Sequence, residues 1–246
     1  AAARVQRILV LGGDGMVHEA ANGVLRAGLA DPPPLGVLPA GTGNDYAKLA
    51  RTQGRSLAHA VQALRRGRVR RFDVGMAWNE FFLNSVGIGF DAAVAREVNR
   101  SRWGRGMPAY LAAVARVIRR FDAPELEIHS DGLQFRDRLL LLEVAIGPVV
   151  GGGFRLTPDA VPDDGLLDVC AVQALSVGGI LVKLPLAVLG RHTGLRQVRM
   201  FRTTRLVVES RDAPLHAQFD GELRELSGRM EIHIVPGALP VLIAQS

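Results

Sequence analysis

The ten residues from Val10 to Glu19, VLGGDGMVHE, decide how the first part of this chain folds. The apolar run Arg7–Leu11 leads into them, as in a strand that is buried on both faces. A helix is predicted next, over Met16–Ala27, with apolar side chains on one face. Glycines in such a turn let the backbone approach a ligand closely, and the N–H groups at the start of a helix attract phosphate.

The carboxylate of Asp14 lies in the middle of this turn, between Gly12-Gly13 and Gly15. An aspartate there would repel a bare phosphate, but it can hold Mg²⁺ against one or take a proton from an attacking hydroxyl. The pattern therefore favours phosphoryl transfer. A plain strand-to-helix turn, in which Gly and Asp are also favourable, is the alternative.

A second loop of the same kind, Gly41-Thr42-Gly43-Asn44-Asp45, follows a buried strand at Leu35–Leu38. Since ligands collect at the carboxyl ends of parallel strands, we expect both loops at one edge of the sheet. Thr42 could bond a phosphate or base, and Asp45 could position a metal or substrate. Alternatively, Asn44 or Asp45 caps the helix predicted over Tyr46–Arg51.

The pattern of the chain changes near residue 70. Up to there strands and helices alternate, ending with a helix over Ser56–Arg66, which predicts a parallel sheet with right-handed crossovers. Beyond it we predict a hairpin of Arg71–Trp78 with Phe81–Gly89, then mostly strands. The further strands are Glu125–His129, Leu139–Ile146, Leu166–Val172, Leu206–Glu209, Leu215–Phe219 and Arg229–Val235, with helices at Met107–Phe121 and Val177–Leu189. The sequence thus predicts an α/β lobe, a β-sandwich lobe and a ligand cleft between them.

Composition and charge limit the classes of function. The 246 residues are 48% hydrophobic and 22% charged, which is typical of globular proteins, and no apolar run reaches the length of a membrane span. The single cysteine, Cys170, excludes an intramolecular disulfide and favours a reducing cytoplasm. A net charge of +6 suits an anionic partner, either nucleotide phosphates or a membrane surface. Basic and aromatic residues do not interleave, so we do not expect nucleic acid to bind.

A third motif, Asp220-Gly221-Glu222, lies far along the chain in the predicted β lobe. Asp-Gly between strands is a strong signal for a hairpin turn. A general base raised on a rigid turn towards the cleft would have the same sequence, so both interpretations stay open here.

Taken together, these motifs resemble the diacylglycerol-kinase family of lipid kinases, which includes bacterial diacylglycerol kinases, sphingosine kinases and ceramide kinases. Five blocks occur in the family's order, and the resemblance runs from about Ile8 to Val235. The blocks are the glycine turn with Glu19 and Asn22-Gly23, then Pro39–Asp45, Asn84–Asp91, Pro158–Asp168 and Asp220–Glu222.

The resemblance implies Mg²⁺-dependent transfer of the γ-phosphate of ATP to a lipid hydroxyl, with a diacylglycerol-like acceptor. It implies a first lobe like that of NAD kinases and phosphofructokinases. Asp14 would work with Mg-ATP, and Glu222 would deprotonate the acceptor. The residues implied to bind the nucleotide are Gly12, Gly13, Asp14, Gly15, Met16, Val17, His18, Glu19, Thr42, Asn44 and Asp45.

The resemblance also implies a second, structural Mg²⁺ in the loop Val161–Leu166. Asp164 would give a carboxylate, and Val161 and Leu166 would give carbonyl oxygens, which suit Mg²⁺. A solvated Asp-Asp-Gly turn is the alternative for this loop.

Two departures from the family pattern stand out. Met16 and His18 replace the threonine and asparagine of most bacterial members, and we expect His18 to be an ordinary residue on the polar face of its helix. Family members also carry a further strand and an Asn-Pro loop before this point. We therefore expect a short α/β lobe, truncated at its start, with an unpaired edge and an incomplete nucleotide pocket.

We assign residues 1–70 to a partial nucleotide-binding domain and residues 71–246 to a β-sandwich lipid-kinase domain, whose last residues pack back on the first lobe. The expected partner is a lipid substrate, with peripheral contact at the inner membrane face through the basic segment Arg100–Arg105 and the arginines of the helix after it. The loop Val149–Phe154 would border an acyl channel or be a plain loop. A homodimer stays open. So do two other functions: a soluble kinase of the NAD-kinase kind and a non-catalytic nucleotide- or lipid-binding protein.

Overall fold

A computed structural model describes residues 5–53, 56–100, 107–210, 214–226 and 228–244 of the chain. Its first elements are β1 (Ile8–Gly12), α1 (Asp14–Arg26), β2 (Leu35–Pro39), α2 (Asp45–Leu49) and α3 (Leu57–Arg65). Strands β1 and β2 pair in parallel from Ile8↔Leu35 to Gly12↔Pro39, as the alternating pattern predicts. The helix α1 begins two residues earlier than predicted, because Gly13 is its N-cap and Asp14 its first residue.

The second part of the chain contains most of the strands. They are β3 (Arg68–Ala77), β4 (Glu80–Phe82), β5 (Ser85–Gly89), β6 (Glu125–Ser130), β7 (Leu133–Ala145), β8 (Leu167–Gln173), β9 (Val198–Thr203), β10 (Arg205–Ser210), β11 (Leu215–Phe219), β12 (Glu222–Leu226) and β13 (Arg229–Ile243). The helices are α4 (Phe90–Arg100), α5 (Met107–Val117) and α6 (Val177–Val188). The expected domain boundary at residue 70 falls within β3.

The β lobe is a sandwich, as predicted. One sheet contains β3, β4, β6, β10 and β13, and the other contains β5, β8, β9, β11 and β12. The long strand β7 takes part in both, because its first half pairs with β6 and its second half with β5 and β8. Side chains such as Ile128, Ile232, Leu142 and Phe219 point from the two sheets into a shared apolar core.

Strand β13 also links the sandwich to the first lobe. Its first half pairs with β10 and β3, and beyond a bulge after Val235 it continues along β3 until Val241 meets Leu35 of β2. The prediction ended this strand at Val235, because Pro236 and Gly237 are normally signals that a strand stops. The bulge absorbs them, so the end of the chain lies in the sheet of the first lobe.

The helices α4, α5 and α6 cover the outer face of the second sheet. Their apolar side chains, including Val94, Val114 and Ile180, pack with Leu140 and Cys170 of the sheet. This sheet is therefore covered on both faces, by the other sheet and by a helical layer. Among the described residues, no helix is long and apolar enough to cross a membrane.

Several elements differ from the prediction. The expected strand Phe81–Gly89 is split into β4 and β5, which belong to different sheets. Helix α4 was not predicted, because Gly89, with φ of 92°, turns the chain directly from strand into helix. Strands β9 and β12 were also missed. The basic residues 101–105 proposed for membrane contact lie outside the described part of the chain.

Candidate active site

The two predicted glycine loops lie side by side at the carboxyl ends of β1 and β2. They touch through their backbones, since a Cβ on Gly41 would lie 2.4 Å from the Cα of Gly13. Asn44 closes the second loop on itself, with its Oδ1 accepting from Gly41 N–H at 2.9 Å and its Nδ2 donating to the Gly41 carbonyl at 2.7 Å. The backbone of Asn44 is in the left-handed region, with φ of 51°. Its side chain therefore shapes the loop and does not cap α2.

Asp14 is half-buried between these loops. Its Oδ1 accepts a hydrogen bond from the backbone N–H of Tyr46 at 3.1 Å, and its Oδ2 lies against Gly43. Burial raises the pKa of Asp14 above its ordinary value; the bond from Tyr46 opposes this shift, and the nearby carboxylates of Asp45 and Asp220 add to it. The first lobe therefore presents a carboxylate that a cation would stabilise.

Glu222 comes from the other lobe and reaches the start of α1. Its Oε1 lies 2.9 Å from the place where a Cβ on Gly15 would stand. Glu222 is exposed and opens β12, directly after the turn Asp220-Gly221. Both turn residues have positive φ, 49° and 95°, as the Asp-Gly pair predicts. Asp14 and Glu222 thus both lie at the start of α1, although they are far apart in the chain.

The carboxylate of Asp220 anchors this turn to the rest of the molecule. It accepts hydrogen bonds from three consecutive backbone N–H groups, those of Leu83, Asn84 and Ser85, at 2.8–3.0 Å. It also bonds Nδ1 of His18 at 2.8 Å. These bonds occupy the backbone between β4 and β5, which explains why the predicted single strand is broken there.

His18 joins three parts of the site, contrary to the expectation that it is an ordinary residue on a polar helix face. It is only 4% exposed, and its Nε2 lies 3.0 Å from Glu80, which in turn pairs with Arg224 of β12. Burial disfavours a charge on His18 and lowers its pKa. The hydrogen bonds and charges of Asp220 and Glu80 outweigh burial, so the pKa of His18 is raised above its ordinary value. His18 therefore links α1 to β4 and to the Asp220 turn.

The other residues predicted to bind nucleotide divide into two groups. The side chains of Met16, Glu19 and Thr42 are exposed near the glycine loops, and Met16 folds back over Gly12. Val17 is buried in the core of the first lobe, and its N–H is donated to the carbonyl of Gly13 at 3.2 Å. Its role is to support the turn, because neither its side chain nor its N–H is free to contact a ligand.

The second glycine loop is connected to an apolar cavity under the helical layer. Asp45 is buried, bonds Lys48 at 2.6 Å and accepts from Gly152 N–H at 2.7 Å. The neighbouring Gly151 lines the cavity. Most of the cavity wall is apolar and comes from α4, α5, α6, β7 and the loop between β7 and β8, with Phe90, Val114, Leu140, Phe154, Ile180 and Leu184 as examples. The loop Val149–Phe154 therefore separates the cleft from this cavity.

A polar cluster between the cavity and the Asp220 turn was missed by sequence reasoning. Asp91, which lines the cavity, accepts from Nε2 of Gln218 at 2.7 Å, and Oε1 of Gln218 accepts from Gly221 N–H at 2.5 Å. Asp91, Gln218 and the fully buried Glu143 converge over Gly87, where a Cβ would lie within 3 Å of all three. Burial raises the pKa of Glu143 well above its ordinary value, and the charge of Asp91 adds to the rise. A single acid within the apolar run Leu139–Ile146 was the signal that could have revealed it.

The loop predicted to hold a structural Mg²⁺ is fixed by Asp73. The two carboxylate oxygens of Asp73 accept from Gly165 and Gly237 N–H groups at 2.7 Å. Asp164 accepts from Leu166 N–H at 3.1 Å, and its other oxygen lies 3.8 Å from Arg202. No cluster of three or more His, Cys, Asp or Glu side chains with metal-binding geometry occurs within the described ranges. The set Val161, Asp164 and Leu166 offers one carboxylate and carbonyl oxygens, which are hard donors of the kind that Mg²⁺ takes.

The fold and the site together define a two-lobed kinase fold. Its first lobe is an α/β lobe with paired glycine loops, its second lobe is a β-sandwich, and each lobe places one carboxylate at the start of the same helix. Residues 1–77 match the model of the diacylglycerol kinase catalytic domain. Residues 84–243 match that of the YegS C-terminal NAD kinase beta sandwich-like domain. The chain belongs to the diacylglycerol kinase family of lipid kinases.

Relatives of known name agree with this assignment. The chain is 30% identical over 241 residues to a diacylglycerol kinase of Mycobacterium tuberculosis, covering 96% of this chain and 76% of that one. It is 27% identical over 242 residues to a probable lipid kinase YegS-like of Yersinia enterocolitica, covering 97% and 79%. A crystal structure of a diacylglycerol kinase from Bacillus anthracis superimposes with a TM-score of 0.74 at 21% identity, over 98% of this chain and 77% of that one. That last likeness shows the fold alone.

Proposed function

We propose that this chain transfers the γ-phosphate of ATP, with Mg²⁺, to the hydroxyl of a lipid with a diacylglycerol-like body. Membership of a family of lipid kinases supports the reaction class. The observation that carries the proposal is the pair of carboxylates at the start of α1, Asp14 from the first lobe and Glu222 from the second.

The glycine loops are suited to the nucleotide. The N–H groups of the first turn of α1 precede the first helical hydrogen bond, from Val17 to Gly13, and are therefore directed towards an anion in front of the helix. Gly13 and Gly41 leave no side chain between that anion and the backbone. The nearby carboxylates of Asp45 and Asp220 raise the pKa of Asp14, so a divalent cation brought in by the nucleotide would stabilise the ionised form of Asp14. Bound Mg²⁺ would neutralise charge on the phosphates.

Glu222 is placed to accept the proton of the acceptor hydroxyl. It projects from a turn whose orientation is set by Asp220, so the backbone that carries Glu222 is fixed beside the helix start before substrate binds. The apolar cavity would take the acyl part of the acceptor. Its wall connects to the turn through Asp91, Gln218 and Gly221, so a lipid in the cavity would have its polar end near Glu222.

The test is incubation of the chain with Mg-ATP and a panel of diacylglycerol, phosphatidylglycerol, sphingosine, ceramide and NAD, followed by detection of phosphorylated product. We expect a lipid product. Glu222→Gln should lower kcat roughly a hundredfold or more while ATP still binds, because it removes a base that acts in the transition state. Glu225→Gln on the same strand, also exposed, is the matched control and should retain activity.

Two results would replace the proposal. Phosphorylation of NAD alone would indicate a soluble metabolite kinase. Equal turnover by Glu222→Gln and by the unchanged chain would remove Glu222 from the mechanism.

A further inference from the structure

The outer face of helix α6 is unusual for a surface helix. Its sequence, VGGILVKLPLAV, contains only apolar residues and glycine apart from Lys183. The side chains that point away from the protein are aliphatic, with Val182 75% exposed, Leu181 55% and Leu189, directly after the helix, 59%. Contiguous exposed aliphatic side chains of this kind mark interaction surfaces.

The inner face of the same helix forms a wall of the apolar cavity. Ile180, Leu184 and Ala187 line that cavity, together with Lys183. A single helix therefore separates an internal apolar space from an external apolar surface. Whatever covers the outer face lies one helix diameter from the space in which the acyl part of the acceptor would bind.

The charge around the helix selects the kind of partner. Along α6 and the loop that follows it, from residue 177 to residue 197, the chain has no Asp or Glu and has three basic residues, Lys183, Arg191 and Arg196. Arg191 and Arg196 are exposed just beyond the helix, and the exposed Arg155 lies against Gly190 at its end. A second copy of this chain would bring the same positive charge to the contact and no acid from this stretch. An anionic lipid surface complements both the charge and the apolar face.

We propose that the outer face of α6, formed by Leu181, Val182 and Leu189, inserts into the surface of an anionic lipid bilayer. The flanking arginines then face the head groups. This surface differs from the segment Arg100–Arg105 that the sequence suggested. The contact would deliver a lipid to the cavity beneath the helix, and this role rests on the proposed kinase function. The contact with the bilayer does not depend on that function.

The contact is tested by binding of the protein to vesicles in the absence of ATP. Phosphatidylcholine vesicles with and without phosphatidylglycerol are separated from free protein by flotation. We expect the protein to float with the anionic vesicles and to dissociate as salt is raised. The double variant Leu181→Gln with Val182→Gln should lower the partition coefficient by about tenfold or more, since aliphatic groups that leave water contribute about this much. Glutamine keeps the helix propensity close to that of leucine.

The matched control replaces two exposed aliphatic residues on α3, Leu57→Gln with Val61→Gln, which are 48% and 40% exposed. Equal loss of binding in both double variants would overturn the proposal, as would absence of binding by the unchanged chain. A dimer that the α6 variant alone dissociates, detected by sedimentation, would show that α6 binds a second copy and would also overturn it. The α6 variant should keep its activity on a short-chain, water-soluble diacylglycerol and lose it on vesicles. Vesicle binding without phosphorylation of any acceptor would refute the kinase function and leave the bilayer contact standing.

Discussion

Replacement of His18 by alanine tests the contacts that connect helix α1 to β4 and to the Asp220 turn, on which the proposed active site depends. The variant removes a bond of 2.8 Å to Asp220 and one of 3.0 Å to Glu80, both involving ionised groups. Each such bond contributes roughly 1.5–3 kcal/mol. Asp220 keeps three backbone donors and Glu80 keeps Arg224, so neither carboxylate is left without a partner. We therefore expect the free energy of unfolding to fall by about 2–4 kcal/mol, below the full sum of the two bonds.

The loss should depend on pH in a defined direction. The pKa of His18 is raised in the folded protein, so the folded state binds the proton more tightly than the unfolded state does. Its contribution is fully present below the unfolded pKa of about 6.5 and is lost as the pH rises through the folded value. The difference between the unchanged chain and His18→Ala should consequently be larger at about pH 6 than at about pH 8.5.

The assay is urea unfolding of both proteins at the two pH values, with kcat measured on the same samples. His59→Ala, which removes an exposed histidine on α3, is the control and should change little at either pH. Since His18 steadies the turn that carries Glu222, we also expect kcat to fall about tenfold in His18→Ala. A stability difference that is the same at both pH values would refute a raised pKa of His18 in the folded protein. A decrease in the free energy of unfolding of less than about 0.5 kcal/mol would show that the contacts of His18 do not stabilise the protein.

Three further variants test other parts of the site. Gly41→Ala places a Cβ 2.4 Å from the backbone of Gly13, so it should lower ATP affinity at least about tenfold in calorimetry, whereas Gly23→Ala, with nothing within 4 Å, should not. In urea unfolding, the stability of Glu143→Gln relative to the unchanged chain should rise as the pH rises above about 4.5, because the folded protein favours the neutral acid of Glu143. A stability difference that does not change with pH would contradict this. Mg²⁺ should raise the melting temperature of the unchanged chain more than that of Asp164→Ala, and equal rises would remove Asp164 from a structural metal site.

Much of the fold could be predicted from hydrophobic pattern and turn residues. The serine that caps α3 and the Asp-Gly turn at Asp220 are local signals, and each forms as its sequence dictates. The apolar strand before Gly12 also forms, but the expectation that it is buried on both faces is wrong, since Leu9 is 56% exposed and Leu11 is 50% exposed. The second half of β13 and helix α4 escaped prediction for an equally local reason. A bulge after Val235 and the positive φ of Gly89 continue or redirect the chain where proline and glycine usually end an element.

The partners within the site could not be predicted in the same way. His18 contacts Glu80 and Asp220, which are 62 and 202 residues away, and nothing in a helical pattern indicates such contacts. They depend on the register of β11 against β5, which brings the Asp220 turn to the backbone after β4. Only the resemblance to a family of lipid kinases placed Asp14 and Glu222 in one cleft before the fold was known.

The way the lobes are joined explains how Asp14 and Glu222, so distant in the chain, come to lie at the start of one helix. Strand β13 runs from the sandwich into the sheet of the first lobe, and Asp220 ties the turn before Glu222 to three backbone N–H groups and to His18 of α1. The backbone next to Glu222 is therefore tied to the same helix that begins with Asp14. In the proposed reaction, the two residues would therefore start from backbone positions that are already fixed. Such preorganisation is the condition under which charges act most strongly on a transition state.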